Sequence, residues 1–314
     1  MNSSILQVQV VFADPFTTEL PGSGNPAAVV LLAPAATMPN SSPQSPIQYS
    51  ANQQQLGISD CQKAYIAAYL KQPETIFASQ IAPGEWLVDW YTPDGVRIAP
   101  GGNSTIALAK VLLSRIEPEL KQVQLRSIYP GFDSTAYLED DGRISVTIPA
   151  VSACQIIPAS RTSLIQTFGE GPVEFLAGQQ DLIVVFENEA QVRAIKPKFW
   201  CLNSPYQAFI ATAKGDETIE GAVGRVVYRT FVANEQQSGW ECPGSARALM
   251  NLVPYWCSHL SLLSQDILAE QLSDRGGVAS CRLVCPDDRG CQVLVTTDCP
   301  IRMSTSIEFP NLAL

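Results

Sequence analysis

The chain has 314 residues, of which 46% are hydrophobic and 16% charged, enough apolar material for one large folded domain or two of ordinary size. Thirty acidic against 20 basic residues give a net charge of −10, which disfavours a phosphate-binding surface for nucleic acid and docking on an anionic membrane. With one histidine, His259, most Ser-His-Asp, Cys-His and histidine-rich metal mechanisms are removed.

The opening MNSSILQVQVVFADPF has no cationic start, no long apolar run and no small-residue cleavage site, so no secretory leader is expected. No apolar run approaches the length of a membrane helix. A cytoplasmic protein is the expectation. The nine cysteines are scattered through apolar segments, and without an export signal they read as reduced, buried thiols rather than disulfide or metal ligands.

Val8 to Phe12 is β-branched and alternating, a strand; PAAVVLL (26–32) is a second, buried one, and the Gly/Pro-rich TTELPGSGN lies between them. Residues 33–56, rich in Pro, Ser and Gln, read as a surface insertion. Ser59 or Asp60 caps a helix through Leu70, which Pro73 ends. Glu74 opens the strand ETIFAS, and WLVDWY follows as another. Gly101-Gly102-Asn103-Ser104 leads into an apolar helix, TIALAKVLLSRI. Then VQLRSI, TAYLED and RISVTIPA are strands parted by Pro130-Gly131 and Asp141-Gly142.

In the second half DLIVVFE, YQAFIATA and GRVVYRTFV are strands, and EAQVRAIKPKF gives a helix with a proline exit. Pro243-Gly244-Ser245 opens a helix, ARALMNLVPYWCSHL, interrupted at Pro254; RGGVASCRLVC and CQVLVTT are closing strands. GGNSTIALA and PGSARALM echo each other, which points to a duplicated α+β unit, with lobes at 1–122 and 123–314.

GSGNPA (22–27) matches G-x-G-x-x-A, but the β-branched run after it is no helix, so no helix end would meet a pyrophosphate. The two Gly-polar helix starts, at Gly102-Asn103-Ser104 and Gly244-Ser245-Ala246, read either as ordinary caps or as sites for a carboxylate or enolate. Glu74 reads either as a solvated strand-end carboxylate or as a general base with a pKa raised by burial.

Several segments together resemble the PhzF-like isomerases of phenazine biosynthesis, of the diaminopimelate epimerase fold: VQVVFADPF…GNPAAVVLL, IAAYLKQPETIFA, WYTPDGVRIAPGGNSTIALAKVLL, DLIVVFENEAQVRAIKP, YRTFV, GSARALMNLVPYW and QLSDRGG, in that order over nearly the whole chain. The resemblance implies two similar lobes, each a sheet or barrel around a central helix, with the site in the cleft between them. It implies no metal or organic cofactor, a homodimer, and a small-molecule substrate in secondary metabolism whose proton is moved between carbons. It puts Glu74 on the family's catalytic glutamate and gives Asn103 and Ser245 catalytic roles. Gly102, Ser104 and Gly244, together with Asn25, Trp240 and Glu241, become substrate-binding residues. Asn103 stands where the family has histidine, and Trp240 where it has aspartate, with Glu241 adjacent. The two-thiol racemase mechanism is excluded, because Gly101 and Pro243 hold its cysteine positions. A cyclase or dehydratase working through Trp240 or Glu241, and a catalytically silent binding protein, are the alternatives.

Overall fold

The computed structural model describes residues 5–32, 58–156, 161–169, 171–198, 206–216, 224–233, 239–285 and 290–310. The expected insertion at 33–56 lies outside them. Contacts divide the chain into two units, Met1–Pro15 with Pro26–Thr147 and Asp298–Leu314, and Phe16–Asn25 with Ile148–Thr297.

In the first unit, strands β1 (Ile5–Ala13), β2 (Ala27–Leu32), β3 (Glu74–Ala82), β4 (Glu85–Tyr91), β6 (Gln122–Ser127), β7 (Ser134–Leu138) and β8 (Ile144–Pro149) pair in that spatial order, and β18 (Ile301–Pro310) lies on the free side of β1. β2–β3 and β4–β6 run parallel and the other pairs antiparallel, with short β5 (Arg97–Ile98) added to β4. Helix α1 (Asp60–Leu70) begins in a capping box: Ser59 Oγ accepts from Gln62 N at 3.2 Å, and Gln62 Oε1 accepts from Ser59 N at 2.7 Å. Its Ile66, Ala67 and Leu70 pack on Phe77, Leu87 and Tyr91 of the sheet.

Helix α2 (Gly102–Val111) continues through a π turn, Leu112–Ile116. It touches β1, β2, β3, β7 and β18, and every residue from Asn103 to Ala109 is buried. An all-round apolar helix has to be enclosed in this way. β2 and β3 lie between its layer and that of α1, which is why they read as continuous apolar runs rather than alternating ones.

In the second unit, β9 (Cys154–Gln155), β10 (Pro172–Ala177), β11 (Asp181–Phe186), β12 (Ala208–Lys214), β13 (Gly224–Ala233), β15 (Asp266–Gln271), β16 (Gly277–Val284) and β17 (Gln292–Thr297) pair in order, with β14 (Gly239–Cys242) added to β13. β11–β12 and β13–β15 are parallel. From β10 to β17 this repeats the pairing sequence of β1 to β8, so the duplicated α+β unit inferred from the two helix starts is present. Helices α3 (Arg161–Phe168) and α4 (Glu189–Ala194) contribute Leu164, Phe168 and Val192 to a core with Phe175, Phe209 and Phe231. Helix α5 (Ala246–His259) packs on β15, β16 and β17.

Three expectations change. The division falls after Thr147 rather than at 122, because β6, β7 and β8 extend the first sheet from β4, and residues 16–25 and 298–314 each join the unit that their neighbours in sequence do not. Helix α5 runs unbroken through Pro254: the carbonyl of Met250, which the proline cannot serve, accepts instead from Val151 N at 2.9 Å. The thiols are not all reduced and buried. Cys285 and Cys291, just after β16 and just before β17, form a disulfide, and Cys61 and Cys154 are exposed; the thiols of Cys242, Cys257, Cys281 and Cys299 are buried.

Candidate active site

An α-helix begins with backbone N–H groups that have no partner inside it. At α2 the capping position is Gly101, which has no side chain to offer. The acceptor comes from another element: Glu74, the first residue of β3, takes hydrogen bonds at Oε2 from Ser104 N at 3.0 Å and from Ser104 Oγ at 2.9 Å. The sequence brings it there by stopping α1 short of Pro73 and starting β3 directly after it, with Glu74 beside Ala27 of β2. The anion position at this helix start is therefore occupied by the chain's own carboxylate.

Glu74 keeps partial exposure as a residue while its carboxyl is enclosed. Burial pushes its pKa above the ordinary carboxylate value, and the Ser104 backbone and hydroxyl donors pull against that rise. Gly101 makes the approach possible: a Cβ on it would lie 2.6 Å from Glu74 Oε1 and closer still to the rest of the carboxyl group. Gly102 is the first helical residue, and Asn103 is buried in the same turn.

The second unit builds its own helix start. Ser245 caps α5, its Oγ accepting from Ala248 N at 3.2 Å. Asn25 Nδ2 donates to Gly244 O at 2.6 Å, and the Cys242 thiol donates to the same carbonyl at 3.2 Å. Gln271 Nε2 donates to Cys242 O, and Ser273 Oγ to Pro243 O at 2.7 Å. Asn25 is drawn in because Gly24 N donates to Gly276 O at 3.0 Å and Arg275 Nε to Gly24 O at 2.7 Å.

Of the expected site residues, Glu74, Gly102, Asn103 and Ser104 thus meet at one helix start, and Asn25, Gly244 and Ser245 at the other. Trp240 and Glu241 stand apart on β14. Trp240 is 48% exposed, and Glu241 is clamped by Arg229, with 2.7 Å contacts from Nε and Nη2. Sequence reasoning missed the direct Ser104–Glu74 bonds and the Cys242 and Gln271 contacts. The glycine pair at 101–102 was the available signal for the first; the second depends on the pairing of β14 and β15 with β13 and left no local pattern. Among the described residues no group of three or more His, Cys, Asp and Glu side chains is placed to hold a metal ion, and no helix is long and apolar enough to cross a membrane.

A model of the family described as PhzC-PhzF, phenazine biosynthesis-like protein, matches residues 13–296. The chain belongs to this family. It is 31% identical over 212 residues to an uncharacterized isomerase of Pseudomonas aeruginosa, an alignment covering 67% of this chain and 74% of that one. A phenazine biosynthesis PhzC/PhzF protein from Clostridium difficile has a similar solved structure, with TM-score 0.72 and 23% identity, covering 96% of this chain and 100% of that one. A hydroxyproline epimerase from Agrobacterium vitis is similar at TM-score 0.57 and 11% identity, covering 98% and 94% of the two chains. These likenesses fix the α+β architecture as the epimerase-like fold.

Proposed function

We propose that this member of the family is a cofactor-independent isomerase that moves a proton between two carbons of a small organic acid or polyunsaturated intermediate of specialised metabolism. A C–H bond of the substrate breaks, its proton passes to the Glu74 carboxylate, and the electron pair spreads into the adjoining unsaturated system. Glu74 then returns the proton to a second carbon. The observation that carries this reading is the Glu74 carboxyl, enclosed, raised in pKa by burial and yet hydrogen-bonded by Ser104. A carboxyl poised in this way is a better proton acceptor than a solvated one and still releases what it takes. Asn103 is assigned as a neutral donor to the oxygen on which negative charge develops, with Gly102 and Ser104 beside it at the same helix start; the catalytic assignment of Ser245 and the substrate-binding assignments of Gly244 and Asn25 rest on the family resemblance. A second reading, a cyclase or dehydratase using Trp240 or Glu241, has less support, because the Glu241 carboxylate is already engaged by Arg229. The reading includes a cytoplasmic homodimer, checked by light scattering of the purified chain.

The test has two stages. Metabolite profiling of cells lacking the gene identifies the precursor that accumulates. The purified protein is then given that precursor in heavy water. Wild type is expected to turn the precursor over, with deuterium at the receiving carbon in the fraction of turnovers in which the Glu74 carboxyl exchanges with solvent before returning its proton, and Glu74→Gln to lose turnover by about a hundredfold or more. Unimpaired turnover and exchange in Glu74→Gln would remove Glu74 from the reaction.

A further inference from the structure

A hydroxyl group has one proton to donate, and a carbonyl oxygen has two lone pairs to fill. At the start of α2 that arithmetic decides where the Ser104 proton goes. Ser104 Oγ lies 2.9 Å from Glu74 Oε2 and 3.5 Å from Gly101 O, so either oxygen could take its proton. Gly101 O is also approached by Thr105 N at 3.3 Å and by Thr105 Oγ1 at 2.6 Å. Behind Thr105 stands Trp90 of β4, whose indole Nε1–H can only donate and lies 3.2 Å from Thr105 Oγ1. Thr105 Oγ1 therefore accepts from Trp90 and turns its own proton toward Gly101. With the Thr105 amide and hydroxyl on it, Gly101 O is full.

We propose that Thr105, held by Trp90, is a positioning residue that fills the Gly101 carbonyl and so commits the Ser104 hydroxyl to Glu74. Trp90, Ser104 and Thr105 are all buried, so solvent does not replace a missing donor there. Glu74 accepts from Ser104 of α2, lies against the Gly101 cap and has Ala27 as its neighbour on β2, and the causes of its shift are burial and the two Ser104 hydrogen bonds, with no charged side chain among them. Without the Thr105 hydroxyl, Gly101 O is left a donor short and competes for the Ser104 proton, so the hydroxyl's bond to the nearer, charged Glu74 carboxylate is shared rather than exclusive. The importance of this for turnover rests on the isomerase reading; the proton arrangement does not.

The experiment follows the side-chain carboxyl carbon of Glu74 by NMR in the full chain labelled with ¹³C-glutamate, its signal identified by its loss in Glu74→Gln. Thr105→Val, which keeps the shape and removes the hydroxyl, is expected to raise the titration midpoint by about 0.3 pH unit, a fraction of one lost hydrogen bond to a charged group. Thr105→Ser is expected to keep the wild-type midpoint. In a Ser104→Ala background, Thr105→Val should add nothing, because the proton being steered is gone. An unmoved midpoint in Thr105→Val, or an equal rise with and without the Ser104 hydroxyl, would overturn the proposal, as would a midpoint in Thr105→Ser equal to that of Thr105→Val. Should Thr105→Val not fold, Thr105→Ala is read by the same criteria. No substrate is needed, so failure here leaves the isomerase reading standing, and failure of that reading leaves this result intact.

Discussion

Replacing Gly101 with alanine is expected to drive Glu74 off the start of α2. The backbone at 101, with φ −91° and ψ 123°, is open to any L-residue, so the cost does not come from the backbone. It comes from a collision: the new Cβ would sit 2.6 Å from Glu74 Oε1, well inside van der Waals contact. Overpacking of this kind costs about 1–3 kcal/mol, and displacing the carboxyl also strips the Ser104 donors of their acceptor, so a total of about 2–3 kcal/mol is expected. At about 2.1 cal/mol/K of unfolding entropy per residue, that lowers Tm by roughly 3–5 °C in a chain of 314 residues. Calorimetry of wild type, Gly101→Ala, Glu74→Ala and the double variant measures it. With the carboxyl removed the Cβ has room, and the cost of Gly101→Ala should fall below about 0.5 kcal/mol. The same cost in both backgrounds would refute the claim that Gly101 is a glycine for the sake of Glu74.

Lys63→Met should cost about 3 kcal/mol in urea unfolding, because Lys63 and Asp89 are 2.9 Å apart with both side chains fully buried, and the aspartate would be left with Arg97 as its remaining cation; a loss under about 1 kcal/mol would contradict this. Hydrogen bonds from Arg225, then from Arg193, hold Glu189 down to about 2 against an ordinary 4.5. A depressed carboxyl stabilises the fold above its unfolded value, so that contribution is lost as pH falls from about 4.5 through 2. Glu189→Gln should therefore show a flatter dependence of stability on pH in that window, and parallel curves would count against the assignment. Non-reducing peptide mapping should recover Cys285 joined to Cys291, and Cys285→Ser should open Cys291 to thiol reagents; an unchanged labelling pattern would deny the pairing.

Much of the fold was legible because local chemistry and global placement agree. Ser59 or Asp60 announced α1, Pro73 its end, and the continuous apolar run of β2 its burial. β18 and β15 were missed for the opposite reason. β18, IRMSTSIEFP, is largely exposed and rich in serine and threonine, and β15, DILAEQ, sends only Ile267, Ala269 and Gln271 inward. Neither carries an apolar signature, and each is fixed by its partner strand. The Cys285–Cys291 bond needed the hairpin register, Val284 opposite Gln292, before the flanking thiols could be seen as neighbours. At the site, the residue types at 74 and 101–104 were readable, but not that Glu74 would supply the cap that Gly101 lacks, since that depends on where β3 starts relative to a helix nearly thirty residues later.

Strand β18 has a consequence for how the protein is made. It borders β1 along its length, from Leu6 opposite Phe309 to Phe12 opposite Met303, although the two are nearly the whole chain apart. On the ribosome, β1 must wait with one row of backbone N–H and C=O groups uncovered until β18 has emerged. A nascent or truncated chain missing β18 would offer β1 to strands of other molecules, so the sheet of the first unit is closed only once β18 has been made.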